Sequence, residues 1–239
     1  MEAAGKLSVV ATPIGNLEDI TLRALRMLKE ADVVACEDTR MTGKLLSHFD
    51  IHTPTVSFHA NSGKAGFSKI VGLLKDGKHV ALVCDAGTPG VSDPGLELVS
   101  VVREELGEEA RVETVPGPSA LAAALSIAGM RAASFTFYGF LPLKKGREKL
   151  FKEMAASSRA SIFYESPHRI HKSIDLLITF LKAREEEGGE ISGRRVGIFR
   201  ELTKLHEEAF VGTPSEAIRY LEADPNHQRG EFVVVVEGA

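Results

Sequence analysis

The segment VALVCDAGTPGVSDPG, Val80 to Gly95, constrains the chain more than any other: an apolar run breaks into an acid, small residues, two prolines and a second acid. A strand that ends in this way leaves its backbone amides and carbonyls accessible, because the residues that follow carry little side chain to cover them. The same junction of apolar run and turn recurs along the chain, and helical spacing follows it repeatedly. LSVVA reads as a strand, TPIGN as a turn, ITLRALRMLKE as a helix and ADVVACE as the next strand. TVSF, the periodic segment 67–74, HVALVC, a helix over 95–105 and RVETV continue the alternation. Parallel strands joined by helices in an α/β layer are the economical solution.

PGPSALAAALSIAGM predicts a small, apolar, buried helix with Pro118 near its first turn, and a domain boundary at this point divides the chain into 1–118 and 119–239. Beyond it FTFYGF, ASIFYES, RRVGIFRE and GEFVVVVEG read as strands, with helices over 146–155, 167–181 and 214–221. EEAFVG beside GIFRELT predicts an antiparallel pair, and so a mixed second sheet. The run EEEGGE, Glu185 to Glu190, reads as a solvated loop.

Composition excludes several classes. The 239 residues are 44% hydrophobic, enough for one large core or two modest ones, and the net charge of -4 exerts no global pull on nucleic acid or an anionic membrane. RNA contact therefore requires a local basic patch. MEAAGKLSVV lacks the pattern of a signal peptide and no apolar run reaches the roughly 20 residues of a membrane span, so the chain reads as cytoplasmic. Cys36 and Cys84 sit in apolar runs and read as buried thiols. The eight histidines lack metal-ligand spacing, and neither a three-glycine dinucleotide turn, a phosphate-binding GxxxxGK[ST] loop nor a GxSxG elbow occurs.

Four turn-rich segments follow strands: Thr12 to Asn16, Asp85 to Ser92, Pro116 to Ser119 and Tyr138 to Pro142. Loops at the carboxyl ends of parallel strands converge where open α/β sheets bind ligands, and two adjoining domains would enclose that edge as a cleft. Charged residues cluster beside such ends. CEDTR places Glu37, Asp38 and Arg40 after a strand, although Asp38 can equally cap a helix running through Thr42. FYESPHR carries Glu165, His168 and Arg169; RELTK carries Arg200, Glu201 and Lys204, which a solvated ion-pair network would also explain. KKGREK adds Lys144, Lys145, Arg147 and Lys149, and Arg194 with Arg195 forms a second basic pair.

TPIGN, EDTR, DAGTPGVSDPG, PGPSA, GFLP, FYESPHR, RELTK and GEFVVVVEG, in this order, resemble the RsmI family, within the tetrapyrrole methylase-like (class III methyltransferase) superfamily. The resemblance runs from about Leu7 to Gly238. It implies two α/β domains with the donor cleft between them, S-adenosylmethionine as cofactor, no metal, 2'-O-methylation of a cytidine in small-subunit (16S) ribosomal RNA, and a homodimer. Carried onto this chain, it implies donor contacts from Pro13, Gly15, Asp85, Ala86, Gly87, Thr88, Pro89, Ser92, Asp93, Pro94, Pro116, Gly117 and Ser119, with apolar cover from Tyr138, Phe140 and Leu141.

For the transfer itself the candidates are Asp85, Glu165 or Glu201 as the carboxylate that orients polar groups or takes the hydroxyl proton, and Arg40, Arg169, Arg200 and Lys204 as cations for phosphate or growing negative charge. Substrate RNA would engage Glu37, Asp38, Arg40, His59, Lys144, Lys145, Arg147, His168 and Arg169. Two departures stand out: the family's HxHNE-like cluster is His59-Ala60-Asn61-Ser62-Gly63 here, and the chain ends at Ala239 without the small extension that members often carry. The alternatives are methylation of a tetrapyrrole-like small molecule and a noncatalytic RNA-binding protein that keeps a donor pocket.

Overall fold

The computed structural model describes residues 5–58, 63–186 and 193–239. Two compact units follow one another along the chain, residues 1–119 and 120–239.

In the first unit β1 (Lys6–Val10), α1 (Leu22–Glu30), β2 (Val33–Cys36), α2 (Thr39–His48), β3 (Thr55–Ser57), α3 (Gly63–Lys75), β4 (His79–Leu82), α4 (Gly95–Leu106) and β5 (Arg111–Val115) alternate. The strands form one parallel sheet in the order β3-β2-β4-β1-β5. Its two faces are covered by different helices. Met27, Leu28 and Leu46 of α1 and α2 pack with Val10, Val34 and Ala81 on one face, while Ile70, Leu74, Leu98 and Val102 of α3 and α4 pack with Leu7, Ala35 and Leu82 on the other. Burial on both sides accounts for the near-continuous apolar strands. Both cysteines are buried and free, as expected.

Periodicity alone does not reveal α2. Asp38 accepts the Arg40 amide at 2.8 Å as its N-cap, and only Thr42 and Leu46, one turn apart, are buried along it. Two inward positions on a helix of ten residues are too few for a strong periodic signal.

The second unit contains α5 (Ala120–Ala128), β6 (Phe135–Phe140), α6 (Arg147–Ala156), β7 (Ala160–Glu165), α7 (Ile170–Glu186), β8 (Val196–Arg200), β9 (Glu208–Gly212), α8 (Pro214–Ala223) and β10 (Phe232–Val236). Its sheet runs β6-β7-β10-β8-β9; β6 and β7 are parallel and the other pairs antiparallel. The expected β8–β9 pair is present, with Ile198 opposite Phe210. Phe151, Met154, Ile174, Leu177 and Leu221 from α6, α7 and α8 bury one face against Phe163, Ile198 and Val234.

Three local expectations change. The apolar helix begins at Ala120, after Pro118, and only Ala124 and Ala128 are buried along it; Ile127 is 48% exposed. Residues 167–169 form a turn ahead of α7, with Ser166 accepting the amides of Arg169 and Ile170 through its carbonyl. Glu185 and Glu186 extend α7, and the remainder of the EEEGGE run lies outside the described residues. Among the described residues no helix is long and apolar enough to cross a membrane.

Candidate active site

The parallel order of the first sheet makes a crevice at its carboxyl edge. β4 and β1 are neighbours, yet the chain leaves β1 toward α1 on one face and β4 toward α4 on the other, so the loops diverge between them. Open α/β sheets bind ligands at such a switch point.

Short hydrogen bonds interlock the loops there. The Thr12 amide donates to the Gly87 carbonyl at 2.8 Å, and the Gly87 amide donates back at 3.1 Å. Thr88 Oγ1 donates to the Pro118 carbonyl at 3.0 Å, so the loops after β1, β4 and β5 are fastened in series. The Asp38 amide donates to Asp85 Oδ1 at 3.3 Å and adds the loop after β2. Asp93 folds the far end of the long loop by accepting the Gly90 and Gly95 amides on Oδ1 at 2.8 and 2.7 Å. Thr12, Gly87 and Pro118 therefore share one location although 106 residues separate the first from the last.

Close backbone approach explains the glycines. Gly87 has φ +84°, and a Cβ there would lie 3.3 Å from Ile14 Cγ2; at Gly117 a Cβ would lie 3.1 Å from that of Ala11. Asp85, Ala86, Ser92, Pro116 and Gly117 face solvent at this edge with Gly15, while Pro13, Thr88, Asp93, Pro94 and Ser119 are half-buried. Pro89 is buried and shapes the loop from beneath. Ser92 holds φ +67°, an uncommon conformation for a non-glycine residue, and one that clusters at ligand sites.

The acids behave differently from one another. Burial, with Asp93 and Asp85 nearby, raises the Glu37 carboxyl to about 7. The hydrogen bonds from Arg40 hold Asp38 below the usual carboxylate range. Asp38 therefore serves α2 as a cap and pairs with Arg40 Nη2 at 2.8 Å, the arginine side chain remaining 86% exposed. His59 lies outside the described residues.

In the second unit the expected catalytic carboxylate is a buried hub. Glu165 Oε1 accepts Arg169 Nη2 at 2.7 Å and the Ser166 amide at 2.9 Å; Oε2 accepts Arg147 Nη2 at 2.9 Å and Ser173 Oγ at 2.7 Å. The carboxylate is fully enclosed, and the structure places it at the centre of an ion-pair and hydrogen-bond hub rather than on an exposed surface. Arg147 and Arg169 are likewise committed. Their Nη1 atoms donate to the carbonyls of Pro142 at 3.2 Å and Leu141 at 2.9 Å, clamping the loop after β6. Only Lys144, Lys145 and Lys149 of the basic run, with His168 beyond β7, are exposed to solvent.

RELTK is also internally paired. Arg200 is buried, with Nη2 3.0 Å from Glu208 Oε1 and Nε 3.1 Å from Oε2. Glu201 Oε1 accepts Lys204 Nζ and the Glu231 amide, both at 2.9 Å, and Lys204 also reaches Glu231 at 2.8 Å. Glu201 and Thr203 hold φ of +51° and +66°, a turn kept in place by these bonds. Arg200 thus pairs with Glu208 across the β8–β9 edge. Arg194 is no surface patch either: it is buried and donates to the carbonyls of Met154, Ala155 and Glu237.

Tyr138, Phe140 and Leu141 do not form one wall. Leu141 is buried in the helix-covered core and Tyr138 packs against it, whereas Phe140 meets Tyr164, with ring centroids 5.3 Å apart. A bulge at Gly139, φ +61°, separates their directions.

Two solved structures share this architecture. A cobalamin biosynthetic enzyme, cobalt precorrin-4 methyltransferase, aligns with a TM-score of 0.66 and 16% identity over 97% of this chain and 94% of its own. Uroporphyrin III C-methyltransferase from Thermus thermophilus aligns with a TM-score of 0.65 and 17% identity over 98% and 97%. At these identities the likeness is one of fold, that of a two-domain α/β methylase. The family model for tetrapyrrole (corrin/porphyrin) methylases matches residues 6–218. Sequence relatives are more specific: the ribosomal RNA small subunit methyltransferase I of Thermotoga maritima is 44% identical over 98% of this chain and 99% of its own length, and that of Escherichia coli O157:H7 is 42% identical over 98% and 78%. The chain belongs to the ribosomal RNA small subunit methyltransferase I family, the RsmI family, within the tetrapyrrole methylases.

Proposed function

We propose that this chain transfers a methyl group from S-adenosylmethionine to the 2'-oxygen of a cytidine in small-subunit ribosomal RNA. The observation that carries the reading is the near-full-length match to ribosomal RNA small subunit methyltransferase I proteins, joined to the interlocked glycine-rich loops at the sheet edge. The residues present fit the donor. Gly87 and Gly117 bring backbone close where a Cβ would crowd its neighbours, and Asp85 and Asp93 supply negative charge suited to a cationic ligand. S-adenosylmethionine supplies, when bound, a methyl group already activated on a sulfonium.

The protein's share of the chemistry is to align the attacking oxygen and accept its proton. Glu37 suits the second task, since a carboxyl held near neutrality is partly ionised at working pH and yields a stronger base than an ordinary carboxylate. Asp85, exposed beside it, is the second candidate. Lys144 and Lys145 hold substrate phosphates, and Arg147, Arg169 and Glu165 keep their loop in place. A cytoplasmic homodimer belongs to the same reading.

Incubation with labelled S-adenosylmethionine and small ribosomal subunits, followed by nucleotide mapping, tests it. Label on one cytidine ribose is expected. Donor binding without transfer to subunits or extracted RNA would move the assignment to a small-molecule substrate or a noncatalytic RNA-binding role, and steep weakening of binding with salt separates RNA from a small acidic substrate.

A further inference from the structure

Phe140 lies at the end of β6, which among the described residues pairs only with β7 and so forms an edge of the sheet. Strict alternation would send it to the same face as Tyr138, into the core beneath α6 and α7. The register shift between Phe137 and Phe140, with Gly139 at φ +61°, reverses this. Both phenylalanines therefore pack edge-on against Tyr164, at 5.0 and 5.3 Å between centroids. Tyr164 is itself held, since its hydroxyl oxygen accepts the Leu121 amide at the start of α5, at 3.2 Å. Despite these contacts Phe140 remains 57% exposed.

The next residues have opposite properties. Leu141 is buried, and the carbonyls of Leu141 and Pro142 are bound by the two arginines of the Glu165 hub. The chain then re-emerges with Leu143 at 77% exposure, followed by exposed Lys144 and Lys145. Lys149 stands in the first turn of α6, whose N-cap is Gly146, without a side-chain cap, and Glu148 is the one acid in 143–149. An exposed ring on a fixed backbone, next to lysines, matches how proteins hold single-stranded RNA: bases stack on aromatic faces while cations follow the phosphates.

The geometry points to Phe140 as a stacking platform for an unpaired base of the substrate RNA, with the adjoining phosphates on Lys144 and Lys145. This rests on the ribosomal RNA reading and adds a residue that orders the substrate. Charge selects the occupant, because a donor with a cationic sulfonium gains nothing from neighbouring lysines, whereas a polyanion does.

The test uses the full chain with Phe140→Leu, which keeps apolar volume and removes the ring, and Phe140→Trp, which keeps a ring. Three quantities are read for each: affinity for unmethylated small ribosomal subunits, affinity for S-adenosylmethionine, and label transferred. Phe140→Leu is expected to lose about tenfold to a hundredfold in subunit affinity, the range of one base stack. Phe140→Trp stays close to the parent, and donor affinity is the same in all three. Wild-type subunit affinity in Phe140→Leu overturns the proposal. So does a selective loss of donor affinity, which would make Phe140 a donor contact, or an altered self-association by sedimentation, which would place a second copy on it. If the parent binds subunits without methylating them, the activity reading fails while the comparison of variants still decides the platform; if it binds no subunits, both fail.

Discussion

Arg169 joins Glu165 to the loop after β6: its Nη2 lies 2.7 Å from the buried carboxylate and its Nη1 2.9 Å from the Leu141 carbonyl. Arg147 repeats the arrangement from α6, with Nη2 on Glu165 at 2.9 Å and Nη1 on Pro142 at 3.2 Å. The FYESPHR, GFLP and KKGREK motifs thus meet around one buried carboxylate, and Glu165, Arg147 and Arg169 position a loop.

Removing that carboxylate leaves two guanidiniums without their counter-charge. Glu165→Ala is expected to lose about 3–5 kcal/mol of unfolding free energy, the usual cost of breaking a buried ion pair from one side. Urea denaturation of the second unit's signal measures this. A variant that keeps its stability and loses methyl transfer would return Glu165 to the reacting centre.

Glu37 ties the first unit's stability to pH. Its carboxyl is raised in the folded chain from 4.5 to about 7, so the native state binds the proton more tightly than the unfolded one. The resulting stabilisation is complete below about 4.5 and disappears as pH rises through about 7. Glu37→Gln lacks that decline and above neutrality should exceed the parent by about 1–2 kcal/mol, allowing for partial solvation. In kinetics the parent's transfer rate should climb through about pH 7 as Glu37 ionises, and Glu37→Gln should lose both rate and limb. Thermal melts and pH–rate profiles on the same preparations read the two effects separately.

Gly87→Ala combines backbone strain at φ +84° with a methyl group 3.3 Å from Ile14 Cγ2. Gly146, at φ +86° in the left-handed region with open space around it, is the matched control. Each substitution should cost about 1–2 kcal/mol of stability through the left-handed conformation. Only Gly87→Ala should also weaken donor affinity, by about tenfold, when calorimetry compares the two.

Lys144 and Lys145 are exposed where Arg147 is enclosed. Replacing both lysines by alanine should leave donor affinity and melting temperature unchanged. The slope of log affinity for small subunits against log salt should become shallower by about 1.4, or roughly 0.7 for each phosphate that is no longer neutralised. Arg147→Ala should chiefly lower the melting temperature. An unchanged salt slope in the double variant would remove these lysines from the RNA path.

The alternation of strand and helix, the parallel first sheet, the mixed second sheet and the β8–β9 pair were legible because short-range patterns encode them: apolar runs, helical spacing and turn residues within about a dozen positions. The family could be read from the ordered motifs for a related reason, since loops that must fit a ligand carry residues that ordinary turns do not need. The placement of charge was not legible. Whether Glu165 faces substrate or Arg147 depends on β7 lying against α6 and α7, and whether Arg200 is free depends on Glu208 arriving opposite it on β9. A carboxylate and an arginine look the same in sequence whether paired or solvated; only the tertiary structure decides which donors reach them. The direction of Phe140 has the same origin, because a single register shift beside Gly139 chooses between the core and solvent.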